Sequence, residues 1–370
     1  MKNKYISIVV VIMLFIGFIL FQGKFNKEDS IKIGAVYPLS GQFSLYGVEY
    51  KRGVELALGE INSSGGVKGR KLKVIFEDDS GDVKKSVSAI QKLINVDQVK
   101  YVLTAFSSAS LATAPIAEEK HIVFIAATVS KLGTGNYVFR DCWDIEETGK
   151  SIGRSLNKDG MKKVGIIAVN YGDTDIYLKG LKSESSGSEF LIEMFNFGDT
   201  DFKTQLTKIK SFNPDAVVVY GFPGPEVINI TKQFNVFGLD DKRLYAGATT
   251  YALPFIYEQF KETLIKMRVV DNNYDLDQNN KKAVEFRNNY KKVFGLDMTI
   301  ADATYVYDDI YALKQALENS SDIENTKEVS DNLRKVKLSG AAGELTFDDM
   351  GNSKRDTFLQ TFTETGWVKY

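Results

Sequence analysis

Histidine and cysteine are almost absent from this 370-residue chain, with one of each, His121 and Cys142. A single cysteine cannot form an intramolecular disulfide, and Cys142 reads as an inert, partly buried thiol. The lone His121 opens an apolar strand and reads as a solvated strand-start residue, not a base. No HExxH, GxSxG, CxxC or GxxxxGK[ST] pattern occurs, so no enzyme is expected. Net charge is also missing: 47 Lys and Arg against 48 Asp and Glu give −1. That excludes the basic excess of a nucleic-acid surface. The six prolines are scattered and no low-complexity tract is present. Acidic runs at Glu77–Asp79 and Asp348–Asp349 lack convergent metal-ligand spacing and read as solvated loops. No metal and no cofactor are expected. Ser63–Gly69 is glycine-rich but follows a helix, so it is a helix end and turn, not a phosphate cradle.

What is present is a leader and a large apolar body. Lys2 and Lys4 precede Tyr5–Phe21, an apolar run broken only by Ser7 and Gly17. A basic start before an apolar core is an export pattern. No small-x-small cleavage site or cysteine follows Phe21. The run therefore reads as an uncleaved membrane anchor in preference to a cleaved signal peptide, with the body extracytoplasmic. Residues 1–30 form this segment and a short tether. The remainder, with 44% hydrophobic residues over the whole chain, exceeds one ordinary core, so two domains are expected.

Apolar strand-like runs alternate with helical periodicity along the body, which implies βαβ units and parallel sheets. Strands are expected at Ile31–Leu39, Lys71–Glu77, Val99–Thr104, His121–Ala126 and Tyr137–Arg140, then at Lys163–Asn170, Glu189–Phe195, Ala216–Tyr220 and Arg243–Ala246. Helices are expected at Gly47–Asn62, Asp82–Asn95, Ser107–Glu119, Glu146–Asp159, near Ile176–Ser183, Phe202–Ser211, Pro225–Phe237, Asn279–Phe294, Ala301–Asn319 and near Thr326–Val336. Ser40–Gly47 reads as a loop and Met267–Leu276 as an irregular crossover. The fold class is α/β, with two successive series and a late helical return.

Five stretches carry a family resemblance. They are IKIGAVYPLSGQFSLYGVEYKRGVELALGEIN (Ile31–Asn62), YVLTAFSSASLATAPIAEEKHIVFIAAT, YVFRDCWDIEETGKSIGRSL, TYVYDDIYALKQAL and GELTFDDMGN. Together they resemble the leucine/isoleucine/valine-binding-protein family, the branched-chain amino acid type of solute-binding protein in ABC importers. The resemblance covers nearly all of the chain after Ser30. It implies two Rossmann-like lobes with parallel sheets, three crossovers and an interlobe ligand cleft, the type 1 periplasmic binding fold. Lobe one would be 31–146 plus 275–347, and lobe two 147–274 plus 348–370. The crossovers would fall near Asp144–Thr148, Val270–Leu276 and Thr346–Asp349.

The resemblance also places a site. Thr104–Ser110 joins a strand to a helix, where serines cap exposed N–H groups and the helix dipole favours an anion. Ser107, with Ser108 beside it, corresponds to a serine that holds a ligand carboxylate; simple helix capping is the alternative. Ala126, Ala127 and Thr128 end the next strand, where a carbonyl would take the ligand amine and a threonine its carboxylate. Tyr46 corresponds to a tyrosine covering the ligand, and Tyr305 to a lining aromatic or a core residue. Phe222 lies in a further cleft loop. The acid that pairs with the ligand ammonium in the family corresponds to Thr249, which carries no charge. Asp175 or Asp173 would replace it, or the ligand is an amide, urea-like compound or aromatic acid. The expected function is an extracytoplasmic solute-binding protein. It would close by a hinge on an amino acid or related amide or acid and partner an ABC permease, with a monomeric body. A ligand-sensing receptor or regulator of the same fold is the alternative.

Overall fold

The computed structural model describes residues 30–133, 135–222, 224–247, 251, 259–265, 267–271, 280–353, 355, 357–364 and 366–370. Residues 1–29 of the leader and tether expected over 1–30, Thr249, and residues 272–276 of the crossover expected at Met267–Leu276 lie outside them. Among the described residues no helix is long and apolar enough to cross a membrane.

The first sheet is built from β1 (Ile31–Tyr37), β2 (Leu72–Asp78), β3 (Tyr101–Ala105), β4 (Val123–Ala127) and β5 (Val138–Arg140), in the order β2-β1-β3-β4-β5. Every pairing in it is parallel. Strands β3 and β4 are buried along their whole length. Helices cover both faces of such a sheet, and this is why these segments read as unbroken apolar runs. The covering helices from this half are α1 (Ser44–Ser63), α2 (Val83–Asn95) and α3 (Ser107–Glu119).

Helix α4 (Ile145–Lys158) leads into the second sheet: β6 (Lys163–Val169), α5 (Thr174–Glu184), β7 (Glu189–Phe195), α6 (Lys203–Phe212), β8 (Ala216–Tyr220), α7 (Pro225–Phe237), β9 (Arg243–Ala246), α8 (Lys261–Leu264) and β10 (Arg268–Asp271). Its order is β14-β13-β10-β9-β8-β6-β7, where β13 (Phe358–Thr363) and β14 (Gly366–Lys369) add an antiparallel edge. The segment read as irregular thus contains a strand: Arg268 and Val269 pair parallel to Tyr245 and Ala246. The polar residues after it, NNYDLDQNN, diluted the strand signal.

The late helices α9 (Lys281–Phe294) and α10 (Ala303–Asn319) return to the first half and pack on α1. Two glutamates of α1 hold them. Glu49 accepts from the Tyr290 hydroxyl at 2.6 Å. Glu60 accepts from Tyr307 at 2.6 Å, Tyr311 at 2.7 Å and the Asn289 amide at 2.7 Å. Helix α11 (Thr326–Leu333) and the hairpin β11 (Lys337–Gly340) and β12 (Gly343–Thr346) complete this half.

Helix α1 starts three residues earlier than the periodicity predicts, so Ser44–Gly47 is its first turn and not part of a loop. Gly47 misled the reading. A Cβ there would lie 2.1 Å from the Pro38 carbonyl oxygen, so the glycine permits close approach of the helix to the end of β1 and is no loop signal.

Where the chain passes between the halves, two strands run side by side. Arg140 N–H donates to Gly351 O at 2.8 Å and Ser353 N–H to Arg140 O at 2.7 Å. The guanidinium of Arg355 grips Asp141 with two bonds of 2.8 and 2.6 Å and reaches Asp308 at 3.2 Å. All three side chains are buried.

Candidate functional site

Both sheets share one winding. In the first the chain reverses direction across the sheet between β1 and β3, and in the second between β6 and β8. Open α/β sheets bind ligands outside the carboxyl ends of strands at such reversals. Here the two reversal points face each other. The cleft between them leaves about 660 Å3 free of protein atoms, open solvent at its mouth included, and it is the concave, largely apolar kind of site in which small molecules bind.

The first half supplies the hydroxyls. Ser107 stands at the first position of α3, immediately after β3, and Thr128 follows β4. Their side-chain oxygens are 2.9 Å apart and hydrogen-bonded. Phe106, between β3 and Ser107, has φ of +66°. A bulky residue in the left-handed region is an outlier that points to a functional constraint. That backbone brings Phe106 into the cavity wall beside Tyr46, with ring centroids 5.6 Å apart. Arg140 braces the Thr128 loop from behind, donating to the carbonyls of Thr128 and Val129 at 3.4 Å and of Trp143 at 3.0 Å.

The second half supplies a carboxylate. Asp173 immediately precedes α5 and reaches across the cavity. Its carboxylate accepts from the Ser107 hydroxyl at 2.7 Å and from the Ser130 hydroxyl. Asp173 is only 3% exposed. Burial pushes its pKa up, and the hydrogen bonds from Ser130 and Ser107 oppose that rise. Tyr171, two residues earlier, meets the Ser108 hydroxyl at 3.4 Å, and burial lifts its phenol to about 12.

Aromatic rings close the space. Phe43 from the first half meets Phe197 at 5.1 Å and Phe222 at 5.8 Å from the second. Tyr46 meets Phe222 at 5.9 Å, and Tyr171 meets Phe222 at 5.2 Å. Deeper in the cavity lie Tyr50, Trp143, Tyr220 and Tyr305, with Cys142 and Asp302. Burial, aided by the Asp302 charge, raises the phenols of Tyr46 and Tyr50 well above their ordinary value, and burial does the same to the Cys142 thiol. The lining tyrosines Tyr46 and Tyr50 are therefore neutral at physiological pH, and Cys142 is a thiol, not a nucleophilic thiolate. Among the described residues no cluster of His, Cys, Asp and Glu has the geometry of a metal site.

Of the residues singled out from sequence, Tyr46, Ser107, Ala127, Thr128, Phe222 and Tyr305 line this cavity. Three lie elsewhere. Ser108 is exposed and meets only Tyr171 at the rim. Ala126 is buried within β4, and its carbonyl already accepts the N–H groups of Thr128 at 3.0 Å and Asp141 at 2.9 Å. Asp175 is exposed and lines an outer groove with Lys179 and Lys182. Two positions are about 200° around a helix, so the start of α5 turns Asp173 inward and Asp175 outward. Thr249 lies outside the described residues. Sequence reasoning passed over Phe106, Trp143, Tyr171, Tyr220 and Asp302. Only Phe106 left a signal, as an aromatic inserted between a strand end and a helix-capping serine.

Comparison with known proteins agrees with this architecture. A family model described as "Periplasmic binding protein" matches residues 30–364. The chain belongs to that family. It is 28% identical over 337 residues to the Leu/Ile/Val-binding protein of Escherichia coli K12, covering 88% of this chain and 89% of that protein. It is 29% identical to the Leu/Ile/Val/Thr-binding protein of Salmonella typhimurium, with the same coverage. Among solved structures, a leucine-binding protein from Thermotoga maritima superposes with a TM-score of 0.80 at 23% identity, over 92% of this chain and 97% of that one. A solute-binding protein from R. palustris in complex with benzoate also gives 0.80, at 20% identity, over 92% and 95%. The chain thus has the type 1 periplasmic binding fold, and it is a solute-binding protein and not an enzyme.

Proposed function

We propose that the protein is the extracytoplasmic binding component of an ABC importer. It takes a small polar ligand, an amino acid or a close relative, into the interlobe cavity and hands the closed form to a membrane permease. The observation that carries this reading is the composition of the cavity wall. Ser107, Thr128 and Tyr46 come from one half and Asp173, Tyr220 and Phe222 from the other, so a ligand touching both walls stabilises closure over the open form. The Asp173 bonds to Ser107 and Ser130 and the Phe43–Phe222 contact are all made across the cleft. Each is broken when the lobes part. The Leu/Ile/Val-binding names of the relatives support the amino acid class, and the location follows from the family.

The test is a thermal-shift panel of amino acids, amides and aromatic acids, followed by small-angle scattering with any ligand found. A ligand at 100 times its Kd adds about 2.7 kcal/mol of stability and reduces the radius of gyration. A ligand that stabilises the protein without compacting it would refute hinge closure. Ser107→Ala and Thr128→Ala together leaving affinity unchanged would refute the site.

A further inference from the structure

We propose, building on the solute-binding reading of this same cavity, that its ligand is a small organic cation: an amine that bears a neutral oxygen and no free carboxylate. Charge is the first reason. Among the described lining residues the charged ones are Asp173 and Asp302, both acidic, with no Lys, Arg or His. Asp173 is 3% exposed, accepts from two hydroxyls, and makes no ion pair with any described residue. A buried carboxylate without a counter-charge is costly and is stabilised by a cation placed beside it.

Occupancy is the second reason. A ligand carboxylate would seek the start of α3, where the helix dipole and the hydroxyls of Ser107 and Thr128 converge. That position already holds the chain's own carboxylate, since Ser107 donates to Asp173 at 2.7 Å. An incoming anion would have to displace Asp173 or lie against it. The third reason is the wall. Tyr46, Phe106, Trp143, Tyr171, Phe222 and Tyr305 line the space with aromatic side chains, the residue types that hold ammonium groups by cation–π attraction. The fourth defines the rest of the molecule. Trp143 Nε1 and the Tyr46 hydroxyl are buried and lack hydrogen-bond partners. An indole N–H only donates, so the ligand brings it an acceptor. An amino amide or an amino alcohol has both parts, and Asp173 with its aromatic surround selects the charged end.

Isothermal titration of the full-length chain with a matched set separates the classes: L-leucinamide and choline as cations, L-leucine as zwitterion and 4-methylvalerate as anion. The expected result is that one or both cations bind at least tenfold more tightly than leucine, with 4-methylvalerate weakest. Asp173→Asn, folded by its melting curve, should weaken the cation at least tenfold. If that variant does not fold, Asp302→Asn is expected to show the same loss. If leucine or 4-methylvalerate binds as tightly as the cations, the inference is overturned while the solute-binding reading stands. Wild-type cation affinity in the folded aspartate variant also overturns it, as does silence from all four probes. In the last case the compaction test on the wider panel still judges the binding function separately.

Discussion

Replacing Arg355 with methionine should destabilise the protein by an amount that depends on pH in a defined direction. Arg355 is 2% exposed, and Asp141 and Asp308, its two partners, are 0% and 1% exposed. Its bidentate grip on Asp141 is the strong form of a charge-assisted pair. Methionine preserves much of the packing against Tyr305 but leaves two buried carboxylates without a cation. Breaking a buried pair from one side costs about 3–5 kcal/mol, and this is the loss expected at pH 7.5. Protons can replace the lost charge. Burial already raises Asp308 to about 6 with Arg355 present. Burial and then the Asp141 charge raise the neighbouring Asp309 well above its ordinary value. Without Arg355 these groups rise further, so the folded variant binds more protons than the folded wild type. Each pKa unit of difference is worth ~1.4 kcal/mol. The gap between variant and wild type should therefore narrow by about 1–2 kcal/mol on going from pH 7.5 to pH 5. Urea unfolding of both proteins at the two pH values measures it. An equal gap at both would show that lost packing, not uncompensated charge, is the cause, and would refute the reasoning.

Three further outcomes are expected. The same Gly→Ala change should act with opposite sign at two helical sites. At Gly149 a Cβ would lie 2.1 Å from the Tyr177 carbonyl oxygen, whereas at Gly59 it meets nothing within 4 Å. Thermal melts should show Gly149→Ala lowering stability by about 1–3 kcal/mol and Gly59→Ala raising it by up to about 1 kcal/mol. Wild-type stability should rise as pH falls from 7.5 towards 5. Asp308 has a raised folded pKa, so its contribution is full below the unfolded value near 4 and is lost as pH rises through about 6. Asp78 and Asp144 have lowered values, so their contribution is lost only below about 4. A melting temperature that falls between pH 7.5 and 5 contradicts this. Ser107→Ala removes a hydrogen bond to a buried carboxylate, worth about 1.5–3 kcal/mol. Because that bond joins the two halves, scattering without ligand should show a larger radius of gyration; an unchanged radius would mean that other contacts hold the cleft closed.

The sequence alone determined what depends on neighbours along the chain. Continuous apolar runs marked the parallel strands of both sheets, and periodic apolar positions marked helices such as Pro225–Phe237, whose bounds coincide with those observed. The strand–serine–helix join at Ser107 and the strand end at Thr128 were legible because capping and strand termination are local events. Tertiary structure decided what depends on distant segments meeting. Gly47 reads as a loop residue until Pro38 stands against it. Asp173 and Asp175 are equivalent in sequence, and the rotation of α5 alone sends one into the cavity and the other to solvent. The cavity wall itself gathers Tyr46, Phe106, Trp143, Tyr171, Phe222 and Asp302 from six separate segments. No local pattern announces that convergence, because side-chain periodicity encodes which face is buried and not which distant residue it is buried against.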